Sequence, residues 1–133
     1  MITLDEARSM VAAGEAQAKT INVPVNIAVL DAGAHLKAFI RMDGAVLGSI
    51  DIATGKARTA ALFGLSSEAI WDYAKPGSTS PGLENTNGGL VPFAGGIPVK
   101  AADGTVIGAV GVSGGAVAQD LEIAQAAVAA LDH

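Results

Sequence analysis

An α+β fold, one antiparallel sheet with flanking helices, is what this sequence predicts. Two pairs of strand-like runs are each joined by a tight-turn signal, Asp31-Ala32-Gly33-Ala34 and Ala102-Asp103-Gly104. Segments of helical periodicity precede, separate and follow them, giving the order α-β-β-α-(α)-loop-β-β-α. Hairpins of this kind bury their apolar faces by taking helices onto the sheet. At 133 residues, with no internal repeat or linker, the chain is expected to form a single domain over 1–133.

Thr3-Leu4-Asp5-Glu6 fits a capping box, in which the Thr3 hydroxyl and the Glu6 carboxylate satisfy the first free amides of a helix. Leu4, Ala7, Val11, Gly14 and Ala18 recur at helical spacing up to Lys19, and Asn22-Val23-Pro24 breaks that helix. Val25 to Asp31 reads as a strand and His35 to Met42 as its antiparallel partner, closed by Asp43-Gly44. A second helix is expected from Ser49 to Leu62, and a short helical piece from Ser67 to Ala74. Lys75 to Gly96 is rich in Gly, Pro, Ser and Asn; so long a loop in a compact domain is usually functional or mobile. Ile97 to Ala101 and Thr105 to Ser113 form the second hairpin. The last helix, near Gln119 to Leu131, is apolar at Leu121, Ala124, Val128 and Leu131.

Composition narrows the function classes. Half the residues are hydrophobic and only 16% are charged, well below the usual ~25%. So small a chain has much surface to cover with few charges, so a homo-oligomer is expected. A net charge of −5 with eight scattered Lys and Arg argues against nucleic acid, which requires clustered cations. The absence of cysteine excludes disulfides, thiolate metal sites and Cys nucleophiles. The opening MITLDEARSM lacks a basic region and an apolar core, and no run approaches the ~18 apolar residues of a membrane span, so a soluble, cytoplasmic protein is expected.

Several groups carry potential chemistry. Gly111-Val112-Ser113-Gly114-Gly115 matches the G-x-S-x-G elbow, but only the terminal His133 lies downstream to serve as base, which disfavours a serine hydrolase. A Gly-rich strand end feeding a helix still exposes amides suited to an anion or carbonyl, making Gly111, Ser113 and Gly114 candidate ligand contacts. Gly108 and Gly111 mark places where a ligand or another backbone approaches closely. His35 has no second donor at ligand spacing, so no metal site is expected. Arg41 and Asp43, two apart on a strand, face one side and can pair with each other, or Arg41 can meet a carboxylate or carbonyl. Lys56 and Thr59 share a helix face; Lys56 either snorkels at the surface, the favoured reading, or adds a second cation to the pocket. Pro92, Phe93, Gly95 and Gly96 read equally as a rigid pocket wall or a stiffened entry to the next strand.

These segments together resemble the GlcG/HbpS family (the haem-degrading, DUF336-like group) over nearly the whole chain. The pieces that carry the likeness are VLDAGAHLKAFIRMDGA from Val29 to Ala45, IATGKARTAALFG from Ile52 to Gly64, and GGLVPFAGGIPV from Gly88 to Val99. GTVIGAVGVSGG from Gly104 to Gly115 and QDLEIAQAAVAAL from Gln119 to Leu131 complete it. The resemblance implies a profilin- or PAS-like α-β-α sandwich in a higher homo-oligomer. It also implies kinship with bacterial catabolic-operon products and with domains attached to cobalamin adenosyltransferases, some members binding haem or other tetrapyrroles. This sequence departs from a haem-binding pattern in its first helix, which offers only Met10 as an iron ligand; His35, Met42 and Tyr73 remain.

The leading expectation is therefore a small-molecule-binding protein of a bacterial catabolic or cofactor-related pathway. Its pocket would use Arg41, Asp43, Lys56, Thr59, Pro92, Phe93, Gly95, Gly96, Gly111, Ser113 and Gly114. The alternatives are an enzyme working on a small acidic intermediate by tautomerisation, deamination or dehalogenation, with Asp43, Lys56 or Glu84 as acid or base, and a haem or cobalamin binder. Its expected partners are a small molecule and further copies of itself, with neither nucleic acid nor membrane.

Overall fold

Thr3 and Glu6 start the first helix as the capping box requires: the Thr3 hydroxyl accepts the Glu6 amide at 3.1 Å and the Glu6 carboxylate accepts the Thr3 amide at 2.9 Å. The computed structural model describes residues 1–131. Its elements are α1 (Leu4–Thr20), β1 (Asn26–Asp31), β2 (Leu36–Arg41), α2 (Ser49–Phe63), α3 (Ala69–Ala74), a 3-10 turn (Leu83–Asn85), β3 (Gly96–Lys100), β4 (Val106–Ser113) and α4 (Val117–Ala129). The expected elements are all present, with ends displaced by one or two residues as helix fraying and strand ends usually allow. His133, the base a G-x-S-x-G hydrolase would need, lies outside the described residues.

The strands form a four-stranded sheet in the order β2-β1-β4-β3, every neighbouring pair antiparallel. β1 and β4 are therefore central and β2 and β3 are edges. Helices cover both faces. Ile27, Val29, Val110 and Val112 point into a core with Met10, Val11 and Ile123 of α1 and α4, while Ala28, Leu30 and Ala109 meet Ala53, Ala57 and Ala60 of α2. This explains why the first five residues of β1 are buried without alternation: successive side chains go to opposite faces, and each face is roofed. The roof of α2 is unusually close. A Cβ on Gly111 would lie 2.0 Å from the Ala53 carbonyl, so the backbone approach expected at this glycine is made by α2. At Gly108 the space is taken by Ile2, whose Cδ1 a Cβ would meet at 2.3 Å.

The long Gly- and Pro-rich segment is anchored to α2. The Thr59 hydroxyl accepts the Val91 amide at 2.9 Å, and Arg58 Nη1 donates to the Asn87 carbonyl at 2.6 Å. Ile70, Ala74 and Leu90 add a small satellite core beneath it, flanked by Phe63 and Leu83. No helix among the described residues is long and apolar enough to cross a membrane.

Candidate functional site

Antiparallel order brings one end of all four strands together: the start of β1, the ends of β2 and β4, and the start of β3. In register across this end, Asn26 pairs with Arg41 on one side and with Ser113 on the other, and Gly96 pairs with Gly111. Arg41 and Ser113, singled out separately in the sequence, thus flank a common neighbour in one cross-strand row. The Met42 amide donates to the Val25 carbonyl at 3.0 Å, which makes Asn26–Arg41 the kind of pair whose side chains stand closest, with Cα atoms ~4.5 Å apart.

Asn26 was not foreseen. It is fully buried and its Nδ2 donates to the Ser49 hydroxyl at 2.7 Å, at the first residue of α2. Ser49 in turn donates to the Val46 carbonyl. Asn26 Oδ1 has no hydrogen-bond partner among the described residues. A buried amide oxygen left without a partner costs about 1–3 kcal/mol. An asparagine directly before the apolar run Ile27 to Leu30 was the signal available in the sequence.

Next to this row the surface is indented. Glu15, Lys19, Arg41, Met42 and Asp43 line a cleft of about 380 Å³. A second, of about 270 Å³, shares Lys19, Met42 and Asp43 and extends along Ala18, Asn22, Val23 and Pro24. Lys19 is paired with Glu15 at 3.3 Å. The Arg41 side chain is exposed and makes no ion pair or hydrogen bond among the described residues, so of its two sequence readings the pairing with Asp43 is not formed. A free guanidinium beside a half-buried thioether is left facing the cleft's solvent.

Lys56 corrects the sequence reading most sharply. Instead of snorkelling, it is 1% exposed. Its ammonium donates to the Val112 carbonyl at 2.8 Å and to Asp120 Oδ2 at 2.9 Å, and it lies 5.2 Å from the centre of the Phe93 ring. The two hydrogen bonds and the ring account for its donors. Asp120 is itself buried, and its Oδ1 accepts the Gly115 amide at 2.9 Å. Burial pushes the Lys56 ammonium below the ordinary lysine value, while the hydrogen bond and charge of Asp120 oppose it. The Asp120 carboxylate and Lys56 thus tie α4, α2 and the end of β4 together. Glycine is needed at position 95 because a Cβ there would come within 2.7 Å of Lys56 Nζ and 2.5 Å of the Val112 carbonyl.

The remaining candidates are spread out. Thr59 is buried and bonded to Gly55 and Val91, and Ser67 grips the Phe93 carbonyl at 2.6 Å and the Gly96 amide at 2.9 Å. Phe93 is exposed at the β3 side of the sheet end, next to half-buried Pro92, whereas Arg41 is at the β2 side. Gly114 packs on the Pro24 carbonyl, which a Cβ would meet at 2.8 Å. Glu84 is half-buried in the 3-10 turn, its Oε1 unpaired among the described residues, and Asp43 is exposed. Asp43, Lys56 and Glu84 therefore occupy three separate settings. No group of three or more metal-ligating side chains occurs among the described residues.

A family model described as haem degrading protein HbpS-like matches residues 2–129. A protein of the dhaT-dhaS intergenic region in Citrobacter freundii, uncharacterised, is 45% identical over 128 residues, covering 96% of this chain and 89% of that one. Protein GlcG of Escherichia coli K12 is 42% identical over 107 residues, covering 80% and 77%. Among solved structures, Klebsiella pneumoniae protein ORFY superposes with a TM-score of 0.93 at 42% identity, covering 97% and 89%. A complex of PduOC with haem superposes at 0.92 with 34% identity, covering 98% and 95%.

Proposed function

The chain belongs to the HbpS-like family, and we propose that it is a small-molecule-binding protein whose ligand sits at the Arg41–Asn26–Ser113 end of the sheet. The observation that carries this reading is a guanidinium with no side-chain partner among the described residues, on the wall of a cleft that Lys19, Met42 and Asp43 also line. Arg41 calls for an anionic group, while buried Asn26, bonded to Ser49, fixes the strand end next to it. The cleft of about 380 Å³ has the size of a small-ligand pocket. The exposed apolar residues Val46 and Leu47, 63% and 70% accessible, adjoin this end and support closure of the site by a second copy of the chain.

A panel of small carboxylates and hydroxycarboxylates, titrated into the purified protein by calorimetry, tests the proposal. At least one is expected to bind saturably, and Arg41→Ala to weaken it about tenfold or more, the ~1.4 kcal/mol that a charge-assisted hydrogen bond readily supplies. Binding that ignores Arg41→Ala sinks the assignment.

Haem is the second reading, favoured by the family and by the PduOC complex. The residues present fit it in outline: Met42 offers a thioether, a known axial donor type, between Lys19 and Arg41, which suit the propionates. His35 and Tyr73 are exposed on other segments, and Met10 is sealed in the core. Haem supplies redox or ligand-sensing chemistry when bound; the chain's part is to hold its edge and its iron. Titration with haem, and with cobalamin for comparison, should give a stoichiometric absorbance shift that Met42→Ala abolishes. A shift of equal size in that variant refutes the assignment of Met42.

A further inference from the structure

We infer that Asn87 is a self-modifying site, an asparagine set to deamidate through the Gly88 amide and activated by Arg58. The sequence contains four asparagines, at 22, 26, 85 and 87. The first three precede Val23, Ile27 and Thr86, β-branched residues that crowd the following amide nitrogen. Asn87 alone precedes glycine. It lies in the long Gly/Pro-rich segment that the ligand-binding proposal leaves unused.

The local geometry favours the reaction. Asn87 (φ 55°) and Gly88 (φ 74°) occupy the centre of a tight turn closed by the Gly89 amide on the Thr86 carbonyl at 2.9 Å, the pattern of a type I′ turn. Both residues are exposed, and a Cβ built on Gly88 meets nothing within 4 Å. The peptide therefore has open space around it, restrained by the turn's own bond and by the Arg58 bond to the Asn87 carbonyl. The Gly88 amide nitrogen has no hydrogen-bond partner among the described residues, so its proton is open to solvent base. Among the described residues the Asn87 side chain is held only by its Nδ2 on the Thr86 hydroxyl at 3.0 Å.

Arg58 supplies the activation. Its Nη1 lies 2.6 Å from the Asn87 carbonyl oxygen, and that carbonyl belongs to the same peptide group as the Gly88 nitrogen. A cation bonded to the oxygen stabilises the amidate formed when the nitrogen loses its proton to solvent base. The amidate attacks Asn87 Cγ, forming a C–N bond and a cyclic imide, and Nδ2 leaves as ammonia after taking a proton from solvent. Water then opens the imide at either carbonyl, giving aspartate or isoaspartate at position 87. The sum is amide plus water to carboxylate plus ammonium, with no oxidant or reductant. The product places a new carboxylate beside Arg58, and isoaspartate also lengthens the main chain of the turn. Both changes alter the tether that fixes this segment to α2.

The test is ageing of the purified full chain at neutral and mildly alkaline pH, with peptide mapping by mass spectrometry and enzymatic methylation to detect isoaspartate. Deamidation is expected at residue 87 ahead of every other asparagine, faster in proportion to hydroxide, and absent from Asn87→Gln. In Arg58→Gln, whose helical circular dichroism should be unchanged, the rate is expected to fall several-fold, with Arg58→Lys in between. Deamidation first at residue 22, 26 or 85, or none at 87 under alkaline ageing, overturns the proposal. An Arg58→Gln rate equal to or above that of the unaltered chain overturns it as well, because the turn would then be reacting without the cation.

Discussion

Lys56 is the residue whose environment departs furthest from its chemistry. A lysine with 1% exposure keeps its charge only because Asp120, the Val112 carbonyl and the Phe93 ring replace water. Removing one member of such a pair strands the other, at a cost of about 3–5 kcal/mol. Lys56→Met should therefore unfold far more readily in urea, and the double change Lys56→Met with Asp120→Leu should recover much of that loss. Single and double variants of equal stability would contradict the ion pair's role. The sign with pH follows from burial. The folded-state value lies below the unfolded one, so between them the unfolded chain holds more protons, and raising pH towards the ordinary value of 10.5 favours the folded state. Unaltered protein should gain on Lys56→Met across that alkaline window. Nothing local in the sequence signals this: Asp120 is 64 positions away, and surface placement is the usual fate of a helical lysine. Arg41, by contrast, was legible as a strand-end cation because neighbouring Asp43-Gly44 marked the end of the strand.

At the scale of elements, hairpin and helix signals carried nearly everything. Asp31 shows why. Its Oδ1 accepts the His35 and Gly33 amides at 3.0 and 2.9 Å, and these bonds, His35 first, hold its carboxyl below the ordinary 3.8. A folded value below the unfolded one means stability that is present above 3.8 and lost as pH falls through the folded value. Asp31→Asn should thus lower the melting temperature at neutral pH, with the difference from the unaltered chain vanishing in strong acid; a pH-independent difference would show the hydrogen bonds alone at work. Helix-on-sheet spacing was only half legible. The glycine at 111 announced a close approach without saying to what. Since the neighbour is the Ala53 carbonyl at 2.0 Å from a would-be Cβ, Gly111→Ala should push α2 off β4 and destabilise the fold by the ~1–3 kcal/mol typical of overpacking. Denaturation midpoints measure it directly, and a neutral substitution would mean α2 yields easily.

For the whole molecule, the two-faced sheet follows from segment order, but the convergence at its end does not. Which strand lies next to which decides that Asn26 stands between Arg41 and Ser113, and the order β2-β1-β4-β3 is a long-range outcome that no local pattern encodes. That same order separates Phe93 from Arg41, placing them at opposite edges. Leu36, Val46, Leu47, Trp71 and Tyr73 are all at least 42% exposed, and the adjacent pair Val46 and Leu47 beside the sheet end suits contact between copies. Light scattering after gel filtration should report an assembly above monomer mass, and Leu47→Glu should reduce it; a monomer at all concentrations would contradict this. The ligand reading is tested most directly by hydrogen exchange, read by mass spectrometry with and without the tightest-binding compound of the carboxylate, haem and cobalamin panel. Protection should concentrate in peptides spanning residues 15–26 and 41–49, around the Arg41–Asn26 row. Protection confined to the groove between β3 and α4 that Ile97, Leu121, Gln125 and Val128 line, with those peptides unchanged, would contradict it.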